Sequence, residues 1–173
     1  MANNLPGTTL VLGGARSGKS RFAENLVEKS GLKPVYIATA QAFDLEMEDR
    51  IGRHQARRGD NWETVEAPIE LAGVLKTRST GDRAILVDCL TLWLSNLMIH
   101  EMDLETERRM FFDALDGLAG PVVMVSNEVG MSIVPENKMA RQFRDHAGEL
   151  NQQVASMASQ VYLVTAGLPL RLK

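Results

Sequence analysis

A glycine-rich octapeptide, Gly13-Gly14-Ala15-Arg16-Ser17-Gly18-Lys19-Ser20, constrains this chain more than any other stretch. It satisfies the pattern G-x-x-x-x-G-K-[ST], and its flanks are those the pattern requires. An apolar, β-prone run (residues 8–12) precedes it, and an amphipathic stretch from Arg21 follows. Glycines let the backbone fold tightly and aim several N–H groups at one anion. A helix beginning near Lys19 adds the positive end of its dipole. Lys19 is expected to reach the β- and γ-phosphates of a nucleotide, and the Ser20 hydroxyl to coordinate Mg²⁺.

The remaining chain alternates between two hydrophobic periods. Continuous apolar runs at 35–38, 84–88, 122–126 and 161–164 read as strands buried on both faces. Residues 62–66 alternate like a short strand, and 168–172 suit an edge strand. Helical patterns cover the stretch up to Ser30-Gly31, then 44–58, 68–76, 90–98, 103–118 and 137–159. In the last, Met139, Phe143, Ala147, Leu150, Val154 and Met157 form an apolar stripe. The expected architecture is α/β, a three-layer P-loop fold with a mainly parallel central sheet, in one domain over residues 1–173. Net charge is −3, which disfavours nucleic acid as a general partner. The single cysteine, Cys89, excludes an internal disulfide and fits a reducing compartment. With neither a signal-peptide pattern nor a run long enough to span a bilayer, the chain is expected to be cytoplasmic, without membrane insertion.

Ligands of parallel sheets bind beyond the carboxyl ends of strands, and further candidate groups fall there. Asp88 closes an apolar strand; it is expected to hold Mg²⁺ directly or through water, the alternative being a cap for the following helix. Ser126-Asn127-Glu128 is another strand-to-loop junction, suited to a substrate or subunit contact, or simply a connection. His54 sits among Arg50, Arg53, Arg57 and Arg58, which share its face if the segment is helical. Guanidiniums bind phosphate oxygens, and nearby cations favour the neutral, nucleophilic imidazole. An ordinary charged helix with i,i+4 pairs such as Glu46–Arg50 explains the same residues equally well. Glu66 alone signals nothing. Asn137-Lys138-Met139-Ala140 lacks the aspartate of a guanine-reading N-K-x-D motif.

Taken together, the motifs resemble the bifunctional adenosylcobinamide kinase / adenosylcobinamide-phosphate guanylyltransferases of cobalamin biosynthesis. The resemblance runs from Leu10 to Lys173. It rests on the phosphate loop with Arg21, on Tyr36-Ile37-Ala38-Thr39, on Arg50-Ile51 with His54, and on Trp62, Thr64 and Glu66. It continues through Asp88-Cys89-Leu90-Thr91, Ser126-Asn127-Glu128-Val129-Gly130, Val134-Pro135-Glu136-Asn137 and Gly167-Leu168-Pro169. The resemblance implies a RecA-like P-loop domain, a homotrimer, and two reactions on a corrinoid substrate. ATP or GTP phosphorylates adenosylcobinamide; GTP then gives GMP to a histidine, which passes it to the corrinoid phosphate. The guanylylated histidine falls on His54. Nucleotide contacts fall on Gly13 to Ser20, on Ile37, Ala38 and Thr39, on Gln55, Ala56, Arg57 and Arg58, on Glu66 and on Asp88. Competing expectations are a kinase of another small alcohol, untouched by loss of His54, and a nucleotide-dependent switch that forms no covalent intermediate.

Overall fold

A computed structural model describes residues 5, 7–41 and 59–173. The expected helix at 44–58, and with it His54 and Gln55 to Arg58, lies outside them. The described elements run β1 (Thr8–Gly13), α1 (Lys19–Lys29), β2 (Lys33–Ala38), β3 (Glu63–Glu66), α2 (Leu71–Arg78), β4 (Arg83–Asp88), α3 (Leu90–Ile99), α4 (Leu104–Asp116), β5 (Val122–Asn127), α5 (Lys138–Met157), β6 (Gln160–Thr165) and β7 (Leu168–Arg171). The strands form one seven-stranded sheet ordered β3-β2-β4-β5-β1-β6-β7. All neighbours are parallel except the β6–β7 hairpin.

Alternation along the strands divides the core into two clusters. On one face, Val11, Tyr36, Leu86, Val123, Val125 and Val164 pack against Ala23 and Val27 of α1. On the other, Leu10, Ile37, Val87, Val122 and Met124 pack beneath residues of α2 to α5, including Leu75, Trp93, Phe111 and Leu150. Continuous apolar strands are what burial on both faces demands, so these runs lack the alternation of a half-solvated sheet.

Two helix starts and one apolar stripe depart from the sequence expectation. The helix expected from Pro68 begins at Leu71, because the Pro68 carbonyl is taken by the Asn96 Nδ2 at 3.0 Å and the Ile69 carbonyl by the Leu71 N–H and the Trp93 indole. The long last helix starts at Lys138, with Asn137 as its cap accepting from Met139 and Ala140. Its apolar stripe is narrower than the periodicity suggests: Met139 and Met157 are exposed, and Ala147, Leu150 and Val154 do the packing together with the polar Asn151.

Candidate nucleotide-binding site

The loop between β1 and α1 is shaped by close backbone approaches. A Cβ on Gly13 would lie 2.6 Å from the Val164 carbonyl oxygen, so nothing larger than glycine fits. Gly18, the residue before α1, has φ +93°, a left-handed conformation that side chains resist, and a Cβ there would meet the Gly167 Cα at 3.1 Å. The β6–β7 turn therefore props the loop from behind, and the Gly167 N–H donates to the Ser17 carbonyl at 2.8 Å. Gly18 has no side chain to cap α1, and the first turn carries no acidic residue. The positive end of the helix is left for an external anion. Lys19 is buried, and its Nζ donates to the Gly14 carbonyl at 3.0 Å, folded back over the loop that a phosphate would fill.

Register places further groups along the same edge. Glu66, Ala38, Asp88, Val125 and Val11 are consecutive lateral partners across β3, β2, β4, β5 and β1. They form one row at the carboxyl edge, and alternation puts all of them on the α1 face. One step further toward the loop, Asn127 pairs with Gly13 on that same face. Neighbouring strands lie about 4.8 Å apart, so Asp88 is roughly 10 Å from β1 and Glu66 roughly 10 Å from Asp88. That is the span of a nucleoside triphosphate's phosphate chain and sugar. Asp88 and Lys19 both act on the buried Cys89 thiol. Burial, then the Asp88 charge, push it up to about 11, while Lys19 pulls the other way. Cys89 is accordingly a protonated, inert thiol, neither nucleophile nor ligand.

The residues at 37–39 divide. Ala38 faces the α1 side of the edge. The Ile37 side chain is fully buried in the opposite cluster. Thr39 is likewise buried, its hydroxyl donating to the Cys89 carbonyl and accepting from the Cys89 N–H, each at 2.7 Å. Its carbonyl accepts from the Asn96 Nδ2 at 2.7 Å. In this geometry Ile37 and Thr39 fix the strand end and offer no side-chain group to a ligand. The sequence gives no role to the polar anchors reaching through from the other face, although Thr91 and Asn151 fall within the motifs of the resemblance. Thr91 of α3 bonds the Ser126 hydroxyl and accepts the Asn127 N–H at 2.6 Å. Asn151 of α5 donates to the Asn127 carbonyl at 3.3 Å. A polar residue inside an otherwise apolar helical stripe, as Asn151 is, was the available signal.

An open cleft of about 670 Å³ between α4 and α5 is lined by Arg108, Arg109, Phe112, His146 and Gln153. It belongs to the layer of helices opposite α1. Arg108 is committed to Glu149 at 3.0 Å and Gln153 at 2.8 Å, which leaves it a poor phosphate receptor.

Comparison with known proteins identifies the family. Residues 9–172 match the family described as cobinamide kinase / cobinamide phosphate guanyltransferase. The bifunctional adenosylcobalamin biosynthesis protein CobP of Pseudomonas aeruginosa is 48% identical over 95% of this chain and 96% of its own length. The corresponding protein CobU of Escherichia coli is 38% identical over 95% of this chain and 98% of its own. Among solved structures, the flagellar accessory protein FlaH of Methanocaldococcus jannaschii superposes with a TM-score of 0.53 at 13% identity, covering 96% of this chain and 78% of that one. That likeness concerns the α/β, RecA-like fold alone.

Proposed function

The chain belongs to the cobinamide kinase / cobinamide phosphate guanyltransferase family, and on that premise we propose that one domain carries out two phosphorus transfers at the carboxyl edge of its sheet. It is a bifunctional enzyme of cobalamin biosynthesis. In the first reaction, the aminopropanol hydroxyl of adenosylcobinamide attacks the γ-phosphorus of ATP or GTP. The new O–P bond forms as the bond to the β-phosphate oxygen breaks; the nucleoside diphosphate leaves and the hydroxyl proton passes to water. In the second, the His54 imidazole attacks the α-phosphorus of GTP and pyrophosphate departs. A phosphate oxygen of the corrinoid then attacks the histidine-bound phosphorus, giving adenosylcobinamide-GDP and freeing the imidazole.

The observation that carries this reading is the row Glu66–Ala38–Asp88 lying on the face where the phosphate loop and the α1 N-terminus open. The loop N–H groups and Lys19 suit the β- and γ-phosphates. Ala38 and Glu66 suit the nucleoside end, a carboxylate being an acceptor for ribose hydroxyls or for the amino edge of guanine. Ser20 and Asp88 offer the hydroxyl and carboxylate oxygens that Mg²⁺ takes alongside phosphates and water, and the metal would supply neutralisation of the leaving group's charge. Arg57 and Arg58 would hold phosphates while His54 attacks. Exposed Met131, Ile133, Val134 and Met139 beyond β5 support a self-associated enzyme, which we take to be a homotrimer in the cytoplasm. No helix among the described residues is long and apolar enough to cross a membrane.

The test uses GTP labelled at the α-phosphorus. After incubation with Mg²⁺ and denaturation, label should stay on the protein, be released by acid, and be absent from His54→Ala. That variant should still phosphorylate cobinamide from γ-labelled nucleotide. Label that persists in His54→Ala, or never attaches to the wild type, contradicts the covalent route.

A further inference from the structure

Asn127 ends β5, the strand lying between the phosphate-loop strand β1 and the Asp88 strand β4. We infer that its side-chain amide is a receptor for the γ-phosphoryl group in the kinase reaction, held there by Thr91 and Asn151. The inference rests on the proposal that the phosphate loop holds the triphosphate of that reaction.

Three observations carry it. The first is position. Asn127 pairs laterally with Gly13, the first loop glycine, and extends two residues past the level of Asp88, whose partner is Val125. It therefore stands between the loop and the carboxylate, where the distal end of a phosphate chain seated on the loop must project. The second is orientation. Val123 and Val125, on alternate positions of the same strand, pack in the cluster that contains Ala23 and Val27 of α1. Asn127 continues that series, so its side chain leaves the sheet on the side where α1 presents its N-terminus. The third is the division of its hydrogen bonds. The backbone N–H goes to the Thr91 hydroxyl at 2.6 Å, and the carbonyl accepts from the Asn151 amide at 3.3 Å. Both partners come from the helices of the opposite face. They hold the main chain from behind and leave the side-chain amide pointing into the site, half-buried and bonded to no described residue.

The surrounding asparagines show what a structural role would look like. Asn96 spends its amide on the Thr39 and Pro68 carbonyls, and Asn137 caps α5. Asn127 does neither. An amide N–H₂ fixed at the rim of a phosphate site donates to an anionic oxygen without bringing charge of its own. Phosphoryl transfer spreads charge over the equatorial oxygens of the moving group, so a fixed donor beside them gains strength in the transition state. Asn127 takes no proton in this scheme; the hydroxyl's proton passes to water as before. In guanylyl transfer the same γ-phosphate belongs to the departing pyrophosphate, remote from the bond being made. The amide should matter less there.

The experiment compares both reactions in Asn127→Ala and Asn127→Asp of the full chain, with thermal melting as a check on folding. With saturating nucleotide, kcat for cobinamide phosphorylation should fall about 100-fold in Asn127→Ala, with the nucleotide KM moving less than about threefold. Self-labelling from α-labelled GTP should slow by no more than about threefold. Asn127→Asp should be worse as a kinase, because a carboxylate opposes the γ-phosphate, and should bind triphosphate less well relative to diphosphate. Thr91→Val should lower kcat by a smaller factor with the same sparing of self-labelling, as a positioning residue would. Wild-type kcat in Asn127→Ala, or equal losses in both reactions, overturns the inference. Lys19→Ala separates this from failure of the underlying reading: if it abolishes phosphorylation while Asn127→Ala does not, the kinase assignment stands and the role of Asn127 falls.

Discussion

On the α1 face of the sheet the buried side chains are mostly valine and alanine, and the carboxyl edge ends in Gly13, Ala38, Asp88 and Asn127. On the opposite face Trp93, Phe111 and a set of leucines pack beneath four helices. The first face is covered, among the described residues, by one helix whose uncapped N-terminus opens onto the edge; the second is covered throughout. The chemistry can sit where a single helix leaves the strand ends accessible, because rigidity is supplied from the other side. Thr91, Asn96 and Asn151 all belong to helices of the covered face, yet they bond the backbone at the ends of β2 and β5. Activity and stability should therefore respond to different substitutions.

The largest separation should come from Lys19→Ala. Removing the ammonium from the phosphate loop should cost on the order of a thousandfold in cobinamide phosphorylation, with a melting midpoint close to wild type. Phe111→Ala sharpens the contrast from the other side. Phe111 is fully buried, with ring centroids 5.0 Å from Trp93 and 5.3 Å from Phe112. Its loss should cost about 3–5 kcal/mol in denaturant unfolding while leaving kcat per folded molecule near wild type. Thr91→Val tests the link between the faces. It strands the Asn127 N–H and the Ser126 hydroxyl, which should cost roughly 1–3 kcal/mol and also slow phosphorylation, a double effect that neither previous variant shows.

Two smaller effects probe each side's electrostatics. Cys89 lies behind the proposed active edge, its thiol raised to about 11 by burial and then by Asp88. Iodoacetamide at pH 8 should modify it on the order of 100-fold more slowly in the native protein than in urea, and bound nucleotide should not accelerate the reaction. Asp82, at the opposite ends of the strands, is lowered to about 2, first by its hydrogen bond from Lys33 and then by that from Thr80. Because the folded value lies below the unfolded value of about 3.9, its contribution is present above pH ~4 and disappears as pH falls toward 2. Asp82→Asn should flatten that part of the acid-unfolding profile and leave both reaction rates unchanged at pH 7.

Much of this organisation is legible in the amino acids because it rests on local rules. The phosphate loop is read from glycine spacing and its strand and helix flanks, and Asp88 from a carboxylate that closes an apolar run. The order of the strands is not local. Only the observed β3-β2-β4-β5-β1 arrangement puts Asn127 beside Gly13 and lines up Glu66 with Asp88, residues far apart in sequence. Glu66 carried no signal by itself for that reason. Ile37 and Thr39 illustrate the converse: they adjoin Ala38 in sequence, but strand alternation buries the Ile37 side chain in the opposite cluster and the Thr39 hydroxyl is engaged by Cys89. The start of α2 depended on two side chains of α3, Asn96 and Trp93, that take the carbonyls just before it.

Amide hydrogen exchange with and without a non-hydrolysable GTP analogue and Mg²⁺ tests most directly whether the active edge belongs to the α1 face. Exchange should slow in peptides covering Gly13 to Ser20, Ala38, Asp88 and Asn127, with no change in α4 around Arg108 and Phe112. Protection confined to the α4–α5 cleft, with the glycine loop exchanging as before, would contradict it.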